Sequence, residues 1–148
     1  MKVINKKASF KYKLFDRYEA GVVLKGFEVK AVKRGRVDLS GAYAKFIRGE
    51  VYLVNASINP QITPTGEGDY KPTRSRKLLL RKREIVEIKT KIKAKKLTIV
   101  PVKMYTKGRL IKVEIALAKA KREHDKRKAL KKKEIKRRIE RELKDRGD

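Results

Sequence analysis

The chain has no cysteine, no tryptophan, one histidine and only 17 acidic residues in 148 positions. Without cysteine there is no disulfide, no thiol nucleophile and no thiolate-held metal. His124 stands alone, so a multi-histidine metal centre is excluded as well. No glycine-rich phosphate loop occurs, no acidic cluster suits a magnesium-dependent nuclease, and nothing assembles a nucleophile, a base and an orienting group. The expectation is a binding protein without a cofactor, not an enzyme. No apolar run approaches the ~20 residues needed to cross a bilayer. Met1-Lys2-Val3-Ile4-Asn5-Lys6-Lys7 lacks the apolar core of a signal peptide. A cytoplasmic address with no membrane partner is therefore expected.

Positive charge is what the chain has in excess: 44 Lys and Arg residues give a formal net charge of +27. Such a surplus repels itself in a compact state and is tolerated most easily beside a polyanion, usually nucleic acid. The charge is not confined to one end. Residues 119–148 carry 15 basic and 7 acidic residues, which leaves +19 on residues 1–118. Hydrophobic residues make up 40% of the chain, enough for the core of one domain. Residues 1–118 read as that domain and 119–148 as a basic C-terminal tail, in a protein expected to be a monomer.

Phe10 to Leu14 alternates apolar and charged residues, the period of a half-buried strand. A second apolar run spans Ala20 to Leu24. Phe27, Val29 and Val32 line one side of a short helix that Gly35 would stop. Tyr43–Ile47 and Val51–Ile58 read as strands around a hairpin loop at Arg48-Gly49-Glu50. Pro60, Pro64 and Pro72 with Gly66 and Gly68 make residues 59–73 an exposed loop, expected to be mobile. Ser75 is the expected N-cap of a helix carrying Leu78, Ile85, Ile88 and Ile92 on one face, with Glu87 and Lys91 paired across a turn. The clearest hairpin joins Leu97–Tyr105 to a strand with Ile111, Val113, Ile115 and Leu117 on one face, turning at Lys107-Gly108-Arg109. Pro101 marks an edge or a bulge. Five or six short strands with one or two packed helices predict a mainly β, α+β fold, an OB-like antiparallel barrel.

From Glu123 to Arg146 there is neither Pro nor Gly, and Glu134–Arg138, Glu140–Lys144 and Glu142–Arg146 stand in the helix-favouring order. Leu130, Ile135, Ile139 and Leu143 form a thin stripe against a backbone ordering cost of about 1–2 kcal/mol per residue. The tail is expected to be mobile when free and helical against RNA.

Four segments carry a joint signature. They are Asn5-Lys6-Lys7-Ala8; Glu19-Ala20-Gly21 through Leu24-Lys25-Gly26-Phe27-Glu28-Val29-Lys30; Pro72-Thr73-Arg74-Ser75-Arg76-Lys77-Leu78-Leu79-Leu80 with Glu84-Ile85; and Lys112-Val113-Glu114-Ile115-Ala116-Leu117-Ala118-Lys119 with His124-Asp125-Lys126-Arg127. In order and spacing this set resembles the SmpB family over residues 5–127. Three departures stand out. Ala31 replaces a family Ser, Ala120 replaces a Gly before the tail, and the 66–72 loop differs in wording. If that Gly is a hinge, Ala120 stiffens the joint.

The resemblance implies an OB-like barrel that binds the tRNA-like domain of transfer-messenger RNA. It also implies a tail that enters the small-subunit decoding region and the empty message channel of stalled ribosomes. Arg74, Arg76 and Lys77, opening a cationic helix, are expected to contact phosphate or else form a solvated helix end. Glu19 and Glu28 either neutralise a neighbouring lysine or serve RNA by orienting an arginine or accepting a base amino group or 2′-hydroxyl. Asn5 and Lys30 are further expected RNA contacts. His124 sits in a polar segment and can stack on an unpaired base, with Asp125 fixing local backbone or pairing with Arg127, and Lys126 and Arg127 meeting phosphate. The runs Lys131-Lys132-Lys133 and Lys136-Arg137-Arg138 suit a groove or channel of RNA. The competing reading is a constitutive basic ribosomal protein, which would purify with whole subunits instead of with one RNA.

Overall fold

The computed structural model describes residues 1–148 apart from Thr65, Glu67, Arg122, Gly147 and Asp148, and at 123–126, 128–129 and 145–146 it describes backbone only. Six strands close on themselves: β2 (Tyr12–Val22), β9 (Leu110–Ala120), β8 (Thr98–Lys107), β4 (Tyr43–Ile47), β5 (Glu50–Val54) and β7 (Arg76–Leu79), β7 pairing back with β2. Every pairing is antiparallel, and β1 (Lys2–Ile4) adds to the outside of β8. Closure leaves few free edges, the usual advantage of a barrel for a chain this basic and this small. A two-stranded ribbon, β3 (Val37–Asp38) with β6 (Ser57–Ile58), lies beside it.

The long strands bend where the register slips. β2 slips between Leu14 and Arg17, and β8 slips between Pro101 and Lys103, where proline cannot donate to the ladder. The bulge read from Pro101 is thus present. Arg48 and Gly49 both adopt positive φ, 52° and 79°, so β4 and β5 join through a two-residue turn, tighter than the loop read from sequence. Ile111, Val113, Ile115 and Leu117 all face the core, as their alternation requires.

Among the described residues, four helices complete the fold. α1 (Lys6–Lys11) is a correction, because the alternation from Phe10 to Leu14 belongs half to this helix and half to β2. α2 (Gly26–Lys33) ends as expected, with Gly35 at φ 75°. α3 (Lys82–Lys95) caps the core with Ile88, which is fully buried, while Ile85 and Ile92 pack beside it. Its start is the larger correction. Arg81, not Ser75, is the N-cap, and residues 76–79 form a barrel strand. The Glu87–Lys91 pair is present at 2.6 Å, and Lys91 also reaches Asp16 at 2.7 Å and the Tyr18 hydroxyl at 3.1 Å, tying α3 to β2. Those two carboxylates hold the Lys91 ammonium above its usual pKa. α4 (Glu123–Arg146) is a continuous 24-residue helix.

Candidate nucleic-acid interface

β7 alternates strictly. Arg76 and Leu78 point into the molecule, while Lys77 and Leu79 point out. Where β7 ends and α3 begins, an open groove of ≈ 650 Å³ forms, with Lys77, Leu79, Arg81, Glu19 and Lys112 among its walls. Leu79 is 53% exposed in the middle of this charged surface. It lies over Gly21, its partner in β2, where an added Cβ would stand 3.3 Å from the Leu79 Cβ. Glycine at position 21 therefore makes room for the leucine.

Glu19 is held at the groove by two donors. The Tyr105 hydroxyl donates to its Oε2, and Lys107 Nζ donates to Oε1 at 3.2 Å. The Tyr105 bond, then Lys107, pulls the Glu19 carboxyl below its ordinary pKa. Desolvation and the Glu19 carboxylate push the Tyr105 hydroxyl up to about 12. Across the ladder Glu19 faces Glu114, a like-charge pair, and Glu114 has its own cations, Arg17 at 3.0 Å and Lys103 at 3.1 Å. Lys77 stays on the surface with Glu50 4.0 Å away, and Lys112 faces the same groove. The result is a trough in which Lys77, Arg81, Lys82 and Lys112 outnumber the carboxylates of Glu19, Glu50 and Glu84 around the exposed Leu79, a combination suited to sugar–phosphate and base-edge contact.

Glu28, Arg76 and, in large part, Arg74 face the interior instead. Glu28 and Arg76 are fully buried. Arg76 Nε and Nη2 donate to Glu28 Oε2 at 2.9 and 2.6 Å, and its remaining donors reach the carbonyls of Ala56, Arg74 and Pro72. Arg74 donates to both Glu28 oxygens, and the Lys25 amide donates to Oε1 at 2.9 Å. The Tyr70 hydroxyl, which shares one Arg76 Nη2 proton with the Pro72 carbonyl, also lies 2.9 Å from Glu28 Oε2 and 3.0 Å from Ile58 O. Its single proton serves one of those acceptors at a time. Burial raises the Glu28 pKa, but the bonds from Arg74, the Lys25 amide, Arg76 and Tyr70 outweigh it and hold the carboxyl at about 2. Phosphate contact by Arg76 and RNA contact by Glu28 are thus corrected, because neither side chain reaches the surface. The same network fastens Tyr70 and Pro72, the C-terminal end of the loop expected to be mobile.

Asn5 is likewise buried, at 8% exposure. Its Nδ2 donates to Leu39 O at 3.1 Å and Pro101 O at 2.9 Å, spending both amide protons inside the fold. Lys30 lies on the surface of α2, lining a different cavity from the groove. On α4, Arg127, Lys131, Lys132, Lys133, Lys136, Arg137 and Arg138 are all exposed. The side chains of His124, Asp125 and Lys126 lie outside the described residues.

The family model for SmpB protein matches residues 2–145. The SsrA-binding protein of Sulfurihydrogenibium sp. is 46% identical over 140 residues, 95% of this chain and 91% of its own length. That of Gloeobacter violaceus is 43% identical over 141 residues, 95% and 92% of the two chains. A solved chain from work on tmRNA–SmpB and the center of the bacterial ribosome superposes with a TM-score of 0.68 at 39% identity, covering 87% of this chain and 94% of that one.

The chain belongs to the SmpB family.

The SmpB signature therefore has two physical parts in this protein. Asn5, Glu28 and Arg76 are internal struts, whereas Glu19, Lys77 and Lys112 stand at the surface. Sequence reading missed Leu79 and Lys112 as groove residues. No local signal marked them, because Arg76-Lys77-Leu78-Leu79 does not alternate in polarity and the helix-forming residues that follow extended the helical reading backwards over it. Ala120 ends β9 opposite Tyr12, and Lys121 N donates to Lys11 O at 2.9 Å, so the ladder runs up to the base of α4.

Proposed function

We propose that this protein binds the tRNA-like domain of transfer-messenger RNA through its basic barrel and delivers it to stalled bacterial ribosomes. There α4 would occupy the decoding region and the vacant message channel. The observation that carries the reading is the match to SmpB over nearly the whole chain, from residue 2 to residue 145. Two features agree with it. The groove beside β7 offers Lys77, Arg81 and Lys112 around Glu19 and Leu79. α4 presents a 24-residue helix whose described side chains are exposed and mostly cationic.

In this reading the chain is a binding factor with no catalytic step of its own, working as a monomer in the cytoplasm. No described helix is long and apolar enough to cross a membrane. Lys77 and Lys112 neutralise phosphates, Glu19 accepts from a base amino group or a 2′-hydroxyl, and the tail residues 124–138 serve the ribosome.

The experiment is to purify the tagged protein from bacterial cells and sequence its RNA. One stoichiometric transfer-messenger RNA is expected. Recovery of whole ribosomal subunits alone would replace this reading with that of a constitutive ribosomal protein.

A further inference from the structure

We propose that a cavity between α2 and the proline-rich loop is a second RNA contact, seating one unpaired nucleotide with its phosphates on Lys30, Arg34 and Arg36. The cavity measures ≈ 330 Å³ and shares no lining residue with the groove beside β7. Phe27, Lys30 and Arg34 recur at helical spacing and form one wall, and the loop residues Pro60, Ile62 and Pro64 form the other.

Three observations make this a preformed site. The first is rigidity. Asn59 N donates to Arg36 O at 3.1 Å, Arg36 Nε donates to Asn59 O at 2.9 Å, and Arg34 Nη1 donates to Gln61 Oε1 at 3.3 Å. Farther along the loop, the Tyr70 ring stands edge-on to Phe27, with centroids 5.0 Å apart. Second, the lining is of one charge sign. It holds three cations, and no carboxylate among the described residues. Third, Ile62 is left 80% exposed at the rim, an apolar surface open to a ligand.

A lining that mixes apolar surface from Phe27, Pro60, Ile62 and Pro64 with three cations fits a flat ring that carries an anion, which is a nucleotide. A duplex keeps its bases stacked and cannot offer a ring to a cavity, so the ligand is a single-stranded or bulged segment. This inference rests on the chain being an RNA binder but not on the groove.

The test measures binding of the full-length protein to labelled oligouridylate and to an RNA duplex of equal length across a salt series. The variants are Arg34→Ala with Arg36→Ala, and Ile62→Ala alone. Lys89→Ala with Lys93→Ala, on the exposed face of α3, is a control of equal charge. The double arginine change should flatten the single-strand salt dependence by about 1.4, roughly 0.7 for each lost phosphate contact. Ile62→Ala should weaken single-strand binding several-fold at unchanged salt dependence. Ile62 is too exposed for its loss to endanger folding. Neither variant should weaken duplex binding more than the control does. The proposal is overturned if the arginine and control variants behave alike on both RNAs, if Ile62→Ala binds like the parent, or if an acidic peptide competes as well as oligouridylate. Failure here leaves the groove untouched, since Lys112 replacement tests that separately.

Discussion

Arg76 Nη2 lies 2.6 Å from Glu28 Oε2, and both side chains are fully shielded from solvent although they sit 48 positions apart on a strand and a helix. The pair joins β7 to α2 and, through Tyr70 and Pro72, holds down the end of the long loop. Glu28→Gln removes the negative member and leaves a guanidinium uncompensated in the interior. The expected loss is about 3–5 kcal/mol of stability by urea denaturation. Tyr70→Phe removes only a hydroxyl and should cost about 1 kcal/mol. RNA affinity of the folded fraction should not change. A stable Glu28→Gln protein with weakened RNA binding would mean that the pair faces RNA after all.

The same carboxylate contributes to the acid sensitivity of the fold. Its native pKa of about 2 lies below the ordinary 4.5, so its contribution is complete above pH 4.5 and fades as the pH falls towards 2. Thermal melts between pH 5 and pH 2 should show Tm dropping through that window. Glu28→Gln should drop less steeply over the same range, starting from a lower Tm.

Leu79 and Lys112 test the groove. Leu79→Ala removes an exposed side chain and should change stability by no more than about 0.5 kcal/mol. It should weaken transfer-messenger RNA binding by about 1 kcal/mol, roughly fivefold, through lost apolar burial. Lys112→Ala should reduce the salt slope of that binding by about 0.7–0.9. If both variants bind as tightly as the parent at every salt concentration, the groove is not the contact.

Lys96 ends α3 in the left-handed region at φ 51°, a conformation that costs a side chain carrying a Cβ about 1–2 kcal/mol. Lys96→Gly relieves that strain but frees the unfolded chain, for a net gain of about 0.5–1 kcal/mol. Tm should rise by a few degrees, and a fall would show that the lysine side chain supports the cap.

The tail should separate from the barrel in function. Alanine at Asp125, Lys126 and Arg127 together should abolish peptide tagging on stalled ribosomes in a reconstituted translation assay. Binding to free transfer-messenger RNA should stay within about twofold of the parent. Loss of the free RNA complex would overturn this division of labour.

Much of the architecture was legible locally because the deciding interactions are local. The alternation of Ile111, Val113, Ile115 and Leu117 can bury only one face of a strand. Gly35 and Gly49 take positive φ where a chain reversal needs it, and the charge surplus fixes the class of partner from composition alone. Periodicity failed at residues 75–79. Leu78-Leu79-Leu80 beside Lys and Arg suits a helix start as well as a strand, and only pairing with β2 and β5 selects the strand.

What tertiary structure alone decided is which charges face water. Arg76 and Lys77 are adjacent and equally basic in sequence, yet one is buried and the other borders the groove. The strand's pleat sends them to opposite sides, and Glu28, supplied by a distant helix, makes the interior tolerable for a guanidinium. Sequence determined that the chain is a polycation with a β core and a helical extension. The choice between strut and contact waited on the fold, because burial of a charge depends on a partner that no local window contains.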